Sequence, residues 1–546
     1  MALPPTSPAA NQAPAGKNLS ALLFFAGLAH AISFAPDPLP FAALPYVQLI
    51  SLAVCFGCAL SASTHRRALL YAGWFGLGSF GAGVYWVYLS MHHFGGMPAW
   101  AAGGATLIMA LVLSLFYVVA IGVLRLLSPD NRQLSWHRQL LVGAVAASVW
   151  TLTEWLRGTL FSGFPWLNIA YAHIDGVYAG LAPIFGVYAV SWSAAFTAAI
   201  LGLFAIQTRQ NTQPLQGLGI GVAVALGIIS VVVGSITWTT PYQAPMFVRL
   251  VQGNIPQDQK FNTHYALQGV ERYIELAALP PKDPSHPLRL IVLPETVIPY
   301  VQRAFEPAFW QSWLDVAREQ DASILLGLPL NQSQTQEDWY TNSVMLLSPL
   351  GTPQEIFHTQ LPTYDKTHLV PFGEYVPKGF QWFVNAMNIP LGEFARGAPR
   401  QTNMQVADVA IAPNICYEDT FGEEIIRSVR PHPDHDTGAN LLINVSNLAW
   451  FDPSWASRQH LQMSRMRAKE SGRPMLRATN TGVTASILPD GRVQAMLAPR
   501  TAGVLDVEVQ ATTGLTPYVR WGNGPILGIA LGLLLICGGL LRRKQS

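Results

Sequence analysis

Apolar residues dominate long, uninterrupted stretches of this chain. A bilayer core is crossed by about 20 consecutive apolar residues in a helix, and eight stretches approach that length. They run near Leu19 to Ala35, Phe41 to Ala62, Leu69 to Leu89, Trp100 to Leu127, Leu140 to Trp155, Val177 to Ile206, Leu218 to Trp238 and Pro525 to Leu541. Between the seventh and the eighth the pattern changes to short β-rich runs alternating with helix-like stretches, an α/β signature. It predicts strands at Phe247 to Val251, Leu288 to Leu293, Ser323 to Leu328, Ser343 to Leu347, Val409 to Ala412, Leu441 to Val445 and Thr484 to Leu488. The last runs into the turn Pro489-Asp490-Gly491. Helices are expected at Tyr265 to Leu279, Pro307 to Gln320 and Trp455 to Ser471. The third is basic, which sets it against anionic lipid or in solvent.

Composition agrees with this pattern. Of 546 residues, 50% are hydrophobic and only 12% charged, with 16 tryptophans, too apolar for an ordinary soluble enzyme. The formal charge of +2 gives no support for a nucleic-acid partner, which requires a basic patch or stripe. The positions of the charges say more than their sum. If the stretches alternate across a membrane, Lys17, Arg66, Arg67, Arg125, Arg132, Arg138, Arg209, Arg542, Arg543 and Lys544 share one side, and the opposite short loops carry only Arg157. The positive-inside rule then places both termini in the cytoplasm. The hydrophilic region from Thr239 to Gly522 is expected outside the inner leaflet, which in a bacterium is the periplasmic face. Residues 1–16, rich in Pro and Ala, read as disordered rather than as a cleavable signal, and the first apolar stretch as a retained anchor.

Of four cysteines, Cys55, Cys58 and Cys537 lie in apolar stretches, which leaves Cys416 without a partner thiol in the hydrophilic region. It reads either as a small buried side chain or as a nucleophile. Glu295 follows the apolar run Leu290-Ile291-Val292-Leu293-Pro294, where a strand stops; taken alone it could equally be a helix-start carboxylate. Lys366 lies in Tyr364-Asp365-Lys366-Thr367-His368-Leu369-Val370-Pro371-Phe372-Gly373-Glu374-Tyr375-Val376-Pro377, and taken alone could be a surface lysine. Together the three supply a base, a thiol and a cation for a developing oxyanion, the requirements of acyl transfer. A cation and a base beside the thiol favour thiolate. There is no solenoid repeat, no Walker-type phosphate loop and no metal-ligand spacing beyond His432 and His435, which read as exposed.

These contexts resemble the nitrilase superfamily, and nearly the whole chain resembles its membrane-embedded branch, the bacterial apolipoprotein N-acyltransferase family. The likeness is carried by Glu154-Trp155-Leu156-Arg157-Gly158, Gly163-Phe164-Pro165-Trp166, Pro183-Ile184-Phe185-Gly186-Val187-Tyr188, Gln252-Gly253-Asn254-Ile255-Pro256-Gln257 and Thr516-Pro517-Tyr518-Val519-Arg520-Trp521-Gly522-Asn523. It implies a polytopic α-helical membrane domain of eight transmembrane helices, with a nitrilase-like αββα sandwich inserted between helices 7 and 8. The corresponding divisions are a disordered cytoplasmic 1–16, a membrane domain 17–240, a periplasmic catalytic domain 241–515, and a final helix with a basic tail 516–546.

The resemblance also implies an activity in the bacterial inner membrane. A fatty acyl chain would pass from a phospholipid to Cys416 as a thioester. From there it would pass to the free α-amino group of the N-terminal diacylglyceryl-cysteine of an apolipoprotein. Glu295 would be the base, with Lys366 and the Tyr417 main-chain N–H as oxyanion partners. Glu374 would orient Lys366 or share proton transfer, and Tyr417 and Glu418 would shape the pocket. No cofactor or metal is implied. The alternatives are a membrane-tethered amidase, in which water resolves the thioester, and a transporter or receptor with an inactive nitrilase-like domain. Two positions depart from the family pattern: Leu448 stands where Asp is common and Phe261 where Trp is common. Finally, Phe380 to Val384 with Met387 and Ile389 reads as an interfacial arm, or equally as a core helix, and Glu154 and Arg157 as a pair on one helix face.

Overall fold

The computed structural model describes residues 15–37, 39–128, 135–208, 217–262, 264–331, 340–382, 394–433 and 437–543. Most of the N-terminal stretch read as disordered falls outside them, although a helix already begins at Ala15. Arg132, Arg209, Lys544, His435, Phe383, Val384, Met387 and Ile389 also fall outside the described residues.

Each of the eight apolar stretches contains a long helix, because an apolar run of that length has no other way to satisfy its main-chain groups away from water. Among the described residues, five helices are long and apolar enough to cross a membrane: Phe41–Ser61, Ala99–Leu127, Trp136–Arg157, Val187–Ile206 and Gly524–Arg543. Asn18–Ile32 and Leu218–Gly234 are apolar but shorter. The helix His65–Gly83 lies against Ala15–Ile32 through glycine. A Cβ on Gly27 would stand 2.1 Å from the Phe75 carbonyl oxygen, and one on Gly78 2.2 Å from that of Phe24. Contact this close needs small residues on both faces.

The sixth stretch departs from expectation. The pattern predicts one element from Val177, but the regular helix starts at Val187, after the short turns Ala179–Leu181 and Ala182–Phe185. The break is Gly186, at φ 74°, where a Cβ would lie 2.3 Å from the ring of Tyr518.

Twelve strands build two six-stranded sheets. In chain order they are β1 Met246–Gln252, β2 Leu288–Val292, β3 Ser323–Leu330, β4 Thr341–Leu347, β5 Thr363–Asp365, β6 Met404–Val406, β7 Val409–Ile415, β8 Leu441–Ser446, β9 Met475–Thr479, β10 Ala485–Ile487, β11 Val493–Met496 and β12 Gly503–Val509. The first sheet has the order β12-β1-β2-β3-β4-β5 and the second β11-β10-β9-β8-β7-β6. Their central strands, β1-β2-β3 and β7-β8-β9, are parallel, and the flanking strands antiparallel.

Alternation along the strands sorts the core into layers. Val248, Leu250, Leu290 and Val292 of one sheet meet Ile411, Ile443, Val445 and Leu476 of the other. The intervening Val251 and Ile291 point away, onto the helices Ala266–Ala278 and Gln311–Glu319. On the far side, Leu442 and Met475 pack against Gly422–Val429 and Ala456–Ser471. The result is a helix-sheet-sheet-helix sandwich.

Ala456–Ser471 corrects its sequence reading. It lies neither in solvent nor exposed for lipid, since nearly every side chain is buried. Its Met463 and Met466 join the core of the apolar helices, and Leu461 and Ala468 join the sandwich. Its charges are paired inside: Arg465 with Asp175 at 2.5 Å and Arg467 with Glu470 at 3.0 Å.

Candidate active site

Three parallel-sheet strand ends and one antiparallel edge converge on the site. β2 ends three residues before Glu295, β5 immediately before Lys366, β7 immediately before Cys416, and β8 immediately before Asn447. Chains leaving β-strands at the same end bring distant residues together: Glu295 and Lys366 pair, and Cys416 lies within their electrostatic reach.

Lys366 is the hub. Its buried Nζ donates to Glu374 Oε1 at 2.8 Å and to Glu295 Oε1 at 3.3 Å. Asn342 Nδ2, from β4, donates to the same two oxygens at 2.7 and 2.8 Å. The second oxygen of each carboxylate takes a main-chain N–H: Glu295 Oε2 from Asn447 and Glu374 Oε2 from Val370, both at 2.8 Å. Burial would raise the Glu295 carboxyl, but Lys366, Asn342, the Asn447 N–H and Lys260 together hold it below its ordinary range. Burial would likewise lower Lys366, and Glu374 and Glu295 reverse that, holding it well above the ordinary lysine range.

Glu295 reaches this position through a tight turn with Thr296 at φ 52°. β3 passes directly beneath, and a Cβ at Gly327 would come 2.4 Å from the Pro294 carbonyl oxygen. Only glycine lets the two chains approach so closely.

Cys416 sits at φ 53°, in the left-handed region, where the chain leaves β7 for the short turn Cys416–Thr420. A non-glycine residue held there costs on the order of 1 kcal/mol and persists only where its surroundings enforce it. Here Asn444 Nδ2 donates to the Cys416 carbonyl at 3.1 Å, and Glu418 Oε2 accepts the Ile415 N–H at 2.7 Å. The side chain is half-buried and lies in the field of Glu295, Lys366 and Glu374. Burial, reinforced by Glu295, pushes the thiol well above its ordinary range, with Lys366 opposing. The direction is opposite to the favoured thiolate expected from the sequence, and it increases the need for a base to take the proton.

The supporting residues divide. Glu374 touches Lys366 as expected. Glu418 lines a small cavity with Tyr364, Thr367 and Asn414, and it clamps the turn that carries Cys416 to the lysine loop. Its Oε1 accepts from the Thr367 N–H, the Thr367 hydroxyl and the His368 N–H at 2.7, 2.7 and 3.1 Å, and its Oε2 from Tyr364 at 3.0 Å. Tyr417 turns toward the apolar helices, where its hydroxyl donates to the Gly163 carbonyl at 2.9 Å.

Several groups here had no sequence signal of their own. Lys260 Nζ donates to the Glu295 main-chain oxygen at 3.0 Å. Behind the nucleophile turn, Asp419 is fully buried and accepts from His460 at 2.5 Å, from Arg477 at 3.1 Å and from the Ser464 hydroxyl. Arg477 Nη2 faces His460 Nδ1 at 3.2 Å, so Nδ1 accepts and Nε2 carries the hydrogen. The neighbouring Gln459 joins the two halves of the molecule. Its Oε1 accepts from the Trp86 and Trp166 indoles at 3.1 and 2.7 Å, and its Nε2 donates to the Gly83 carbonyl at 3.1 Å.

Glu154 and Arg157 do pair, at 3.8 Å, and both are buried. Arg157 donates to the carbonyls of Phe164 and Trp166, which shapes the loop that Tyr417 touches. The two departures from the family pattern fit their places. Leu448 is buried beside Gly482, an apolar position, and the Phe261 ring lies 6.0 Å from that of Trp450. Of the expected interfacial arm, Phe380 and Trp382 are within the described residues, and both are exposed.

The chain matches two family models: apolipoprotein N-acyltransferase N-terminal domain over residues 26–200, and carbon-nitrogen hydrolase over 247–518. It is 45% identical to the apolipoprotein N-acyltransferase of Bordetella bronchiseptica, over 97% of this chain and 99% of that protein. It is 42% identical to the protein of the same name from Ralstonia nicotianae, over 97% and 94% of the two chains. With the one from Nitrosomonas europaea the figures are 38%, 95% and 96%.

Proposed function

This chain belongs to the apolipoprotein N-acyltransferase family, and on that premise we propose that it N-acylates lipoproteins through a thioester on Cys416. In the first half-reaction Glu295 takes the proton from Cys416 Sγ as the sulfur attacks an ester carbonyl of a membrane phospholipid. Lys366, with the Tyr417 main-chain N–H, holds the oxyanion. The carbon-oxygen ester bond breaks, Glu295 returns its proton to the leaving oxygen, and a lysophospholipid departs.

In the second half-reaction the neutral α-amino group of an N-terminal diacylglyceryl-cysteine attacks the thioester. Glu295 takes a proton from that nitrogen and returns it to the departing sulfur, leaving an amide and the Cys416 thiol. Glu374 orients Lys366. Tyr417 and Glu418 act on the turn that carries the nucleophile, Tyr417 from the membrane side and Glu418 from the lysine loop.

The observation that carries this reading is the single ammonium of Lys366 bridging Glu295 and Glu374, with the half-buried Cys416, whose thiol burial pushes up, in their field. An unionised thiol beside an ionised carboxylate is the arrangement that general-base activation starts from.

The same reading gives eight membrane crossings, with both termini in the cytoplasm of a bacterial inner-membrane protein and the sandwich, residues 241–515, in the periplasm. Its supports are the eight helix-containing stretches and the basic residues Arg66, Arg67, Arg542 and Arg543 at helix ends on one side. Both substrates carry acyl chains and are therefore concentrated where such a body lies.

Incubation of the purified protein with labelled phospholipid tests the chemistry. A hydroxylamine-sensitive acyl adduct on Cys416 that an amine-terminated diacylated lipopeptide discharges is the expected result. Active protein without that adduct overturns it, and discharge by water at the same rate as by lipopeptide would make it an amidase.

A further inference from the structure

Glu295 and Glu374 both place Oε1 on one ammonium, Lys366. Two buried carboxylates sharing one cation repel each other, and the usual outcome is that one of them takes up a proton. A protonated Glu295 is no base. Asn342 and the Asn447 N–H ease that repulsion, a second cation nearby eases it further, and the structure contains one.

Lys260 ends the short helix Gln257–Lys260 and is buried. Its Nζ lies 3.0 Å from the Glu295 carbonyl oxygen, on the residue whose carboxylate it also acts on. The same short helix reaches the other oxygen of that carboxylate indirectly. Gln257 Oε1 accepts from Asn447 Nδ2 at 2.9 Å, and the Asn447 N–H donates to Glu295 Oε2. Satisfying one buried carbonyl does not require an ammonium; an amide would do it without the cost of burying a charge.

We propose that Lys260 is a positioning residue for the transfer: its ammonium keeps Glu295 anionic and base-competent, and its hydrogen bond fixes the main chain from which Glu295 projects. This rests on the reading of Glu295 as the base. The charged and titratable groups around it are Glu295 on the strand end, Lys366 and Glu374 on the lysine loop, and Cys416 on the nucleophile turn. Asp258 on its own short helix is exposed.

Burial pulls Lys260 down to about 7, against the upward pull of Glu295 and Cys416. Its charge is therefore complete on the acid side and fades as pH rises through neutrality. Glu295 loses its basic form on the acid side, which is where Lys260 is charged. Removing that charge should move the acid limb of the acylation rate upward.

The test is the initial rate of Cys416 acylation from labelled phospholipid, measured between pH 4 and pH 9 on the full-length protein in vesicles. The wild type is compared with Lys260→Met, Lys260→Gln, Lys260→Arg and Glu295→Gln. For Met and Gln the acid limb should rise by about one pH unit, a loss of about tenfold on the limb, with the ratio to wild type narrowing above neutrality. Arg should keep the limb near its original place. Gln retains a donor for the carbonyl without a charge, so an unmoved limb in Gln, or a loss equal at every pH, overturns the proposal even if Met fails to fold. If Glu295→Gln acylates as fast as wild type, the assignment of the base fails instead, a result distinct from either.

Discussion

The hydroxyl of Tyr417 donates to the carbonyl of Gly163 at 2.9 Å, which ties the residue after Cys416 to a loop of the apolar-helix half of the chain. Gly163 is at φ 82°, and a Cβ there would lie 2.2 Å from the Gly158 carbonyl oxygen, so the acceptor's position is set by its own turn. Tyr417→Phe removes one hydrogen bond worth about 1 kcal/mol. We expect acyl-enzyme formation to slow by about fivefold while the thermal midpoint changes little. Equal loss in a soluble-substrate assay and in vesicles would assign the bond to stability alone.

Replacing Cys416 by Ala should abolish the acyl adduct, and Glu295→Gln should slow its formation by about 10²- to 10⁴-fold, the range of a lost general base. Mass spectrometry of the protein after exposure to phospholipid reads both. An adduct that survives in Cys416→Ala would move the nucleophile elsewhere.

Glu374 is the nearer partner of Lys366, and its Oε1 also takes the Asn342 amide. Glu374→Gln leaves Lys366 paired with Glu295 alone, drawing the ammonium toward the base and away from the oxyanion. The expected outcome is a loss of about tenfold or more in the acylation rate with intact secondary structure, checked by single-turnover kinetics and circular dichroism.

Asp419 is fully buried; burial would raise its carboxyl, but His460, Arg477 and Ser464 hold it below the ordinary range. A depressed carboxylate contributes stability that is present above its unfolded value, about 3.9, and is lost as pH falls through the lower folded value. Glu295 behaves in the same way. The contribution of these two carboxylates should therefore be nearly level from about pH 5 to neutrality and be lost below about pH 4. Asp419→Asn should lower stability by about 3 kcal/mol, leaving Arg477 buried without its anion, and should flatten the acid dependence. A variant with the wild-type acid profile would refute the assignment.

Gly327→Ala should cost about 2 kcal/mol or more through overpacking, because the new methyl meets the main chain around Glu295. Acylation should fall further than the stability loss explains, and the comparison is a rate measured well below the unfolding midpoint.

How much of this was legible in the chain depended on where polar residues stood. Long apolar runs such as Ala99–Leu127 read directly as helices, and Val-Ile-Leu runs such as Leu288–Val292 as strands. Glu295 and Cys416 were visible because a strand stops just before them, and Lys366 because its motif is long. β9 was missed because Arg477 stands in its centre, and a charge in a strand reads as surface until Asp419 is found beside it. The helix Ala456–Ser471 was misread for the same reason: Arg465 and Arg467 looked solvated, but Asp175 lies 290 positions away from its partner in sequence. Asn342 and Asn447 carry no local signature, since amides occur everywhere and only the fold aims them. Lys260 stands outside every predicted element, and Gly186 gave no warning that Tyr518 would stop a helix there.

Gln459, with three hydrogen bonds into the apolar-helix half from a helix that also packs on the second sheet, sets a constraint on inheritance. A sandwich grafted without that amide would leave the Trp166 indole without this acceptor and the Trp86 indole with only its bond to the Gly83 carbonyl. The two halves are therefore coupled through one glutamine as well as through the linker that joins them.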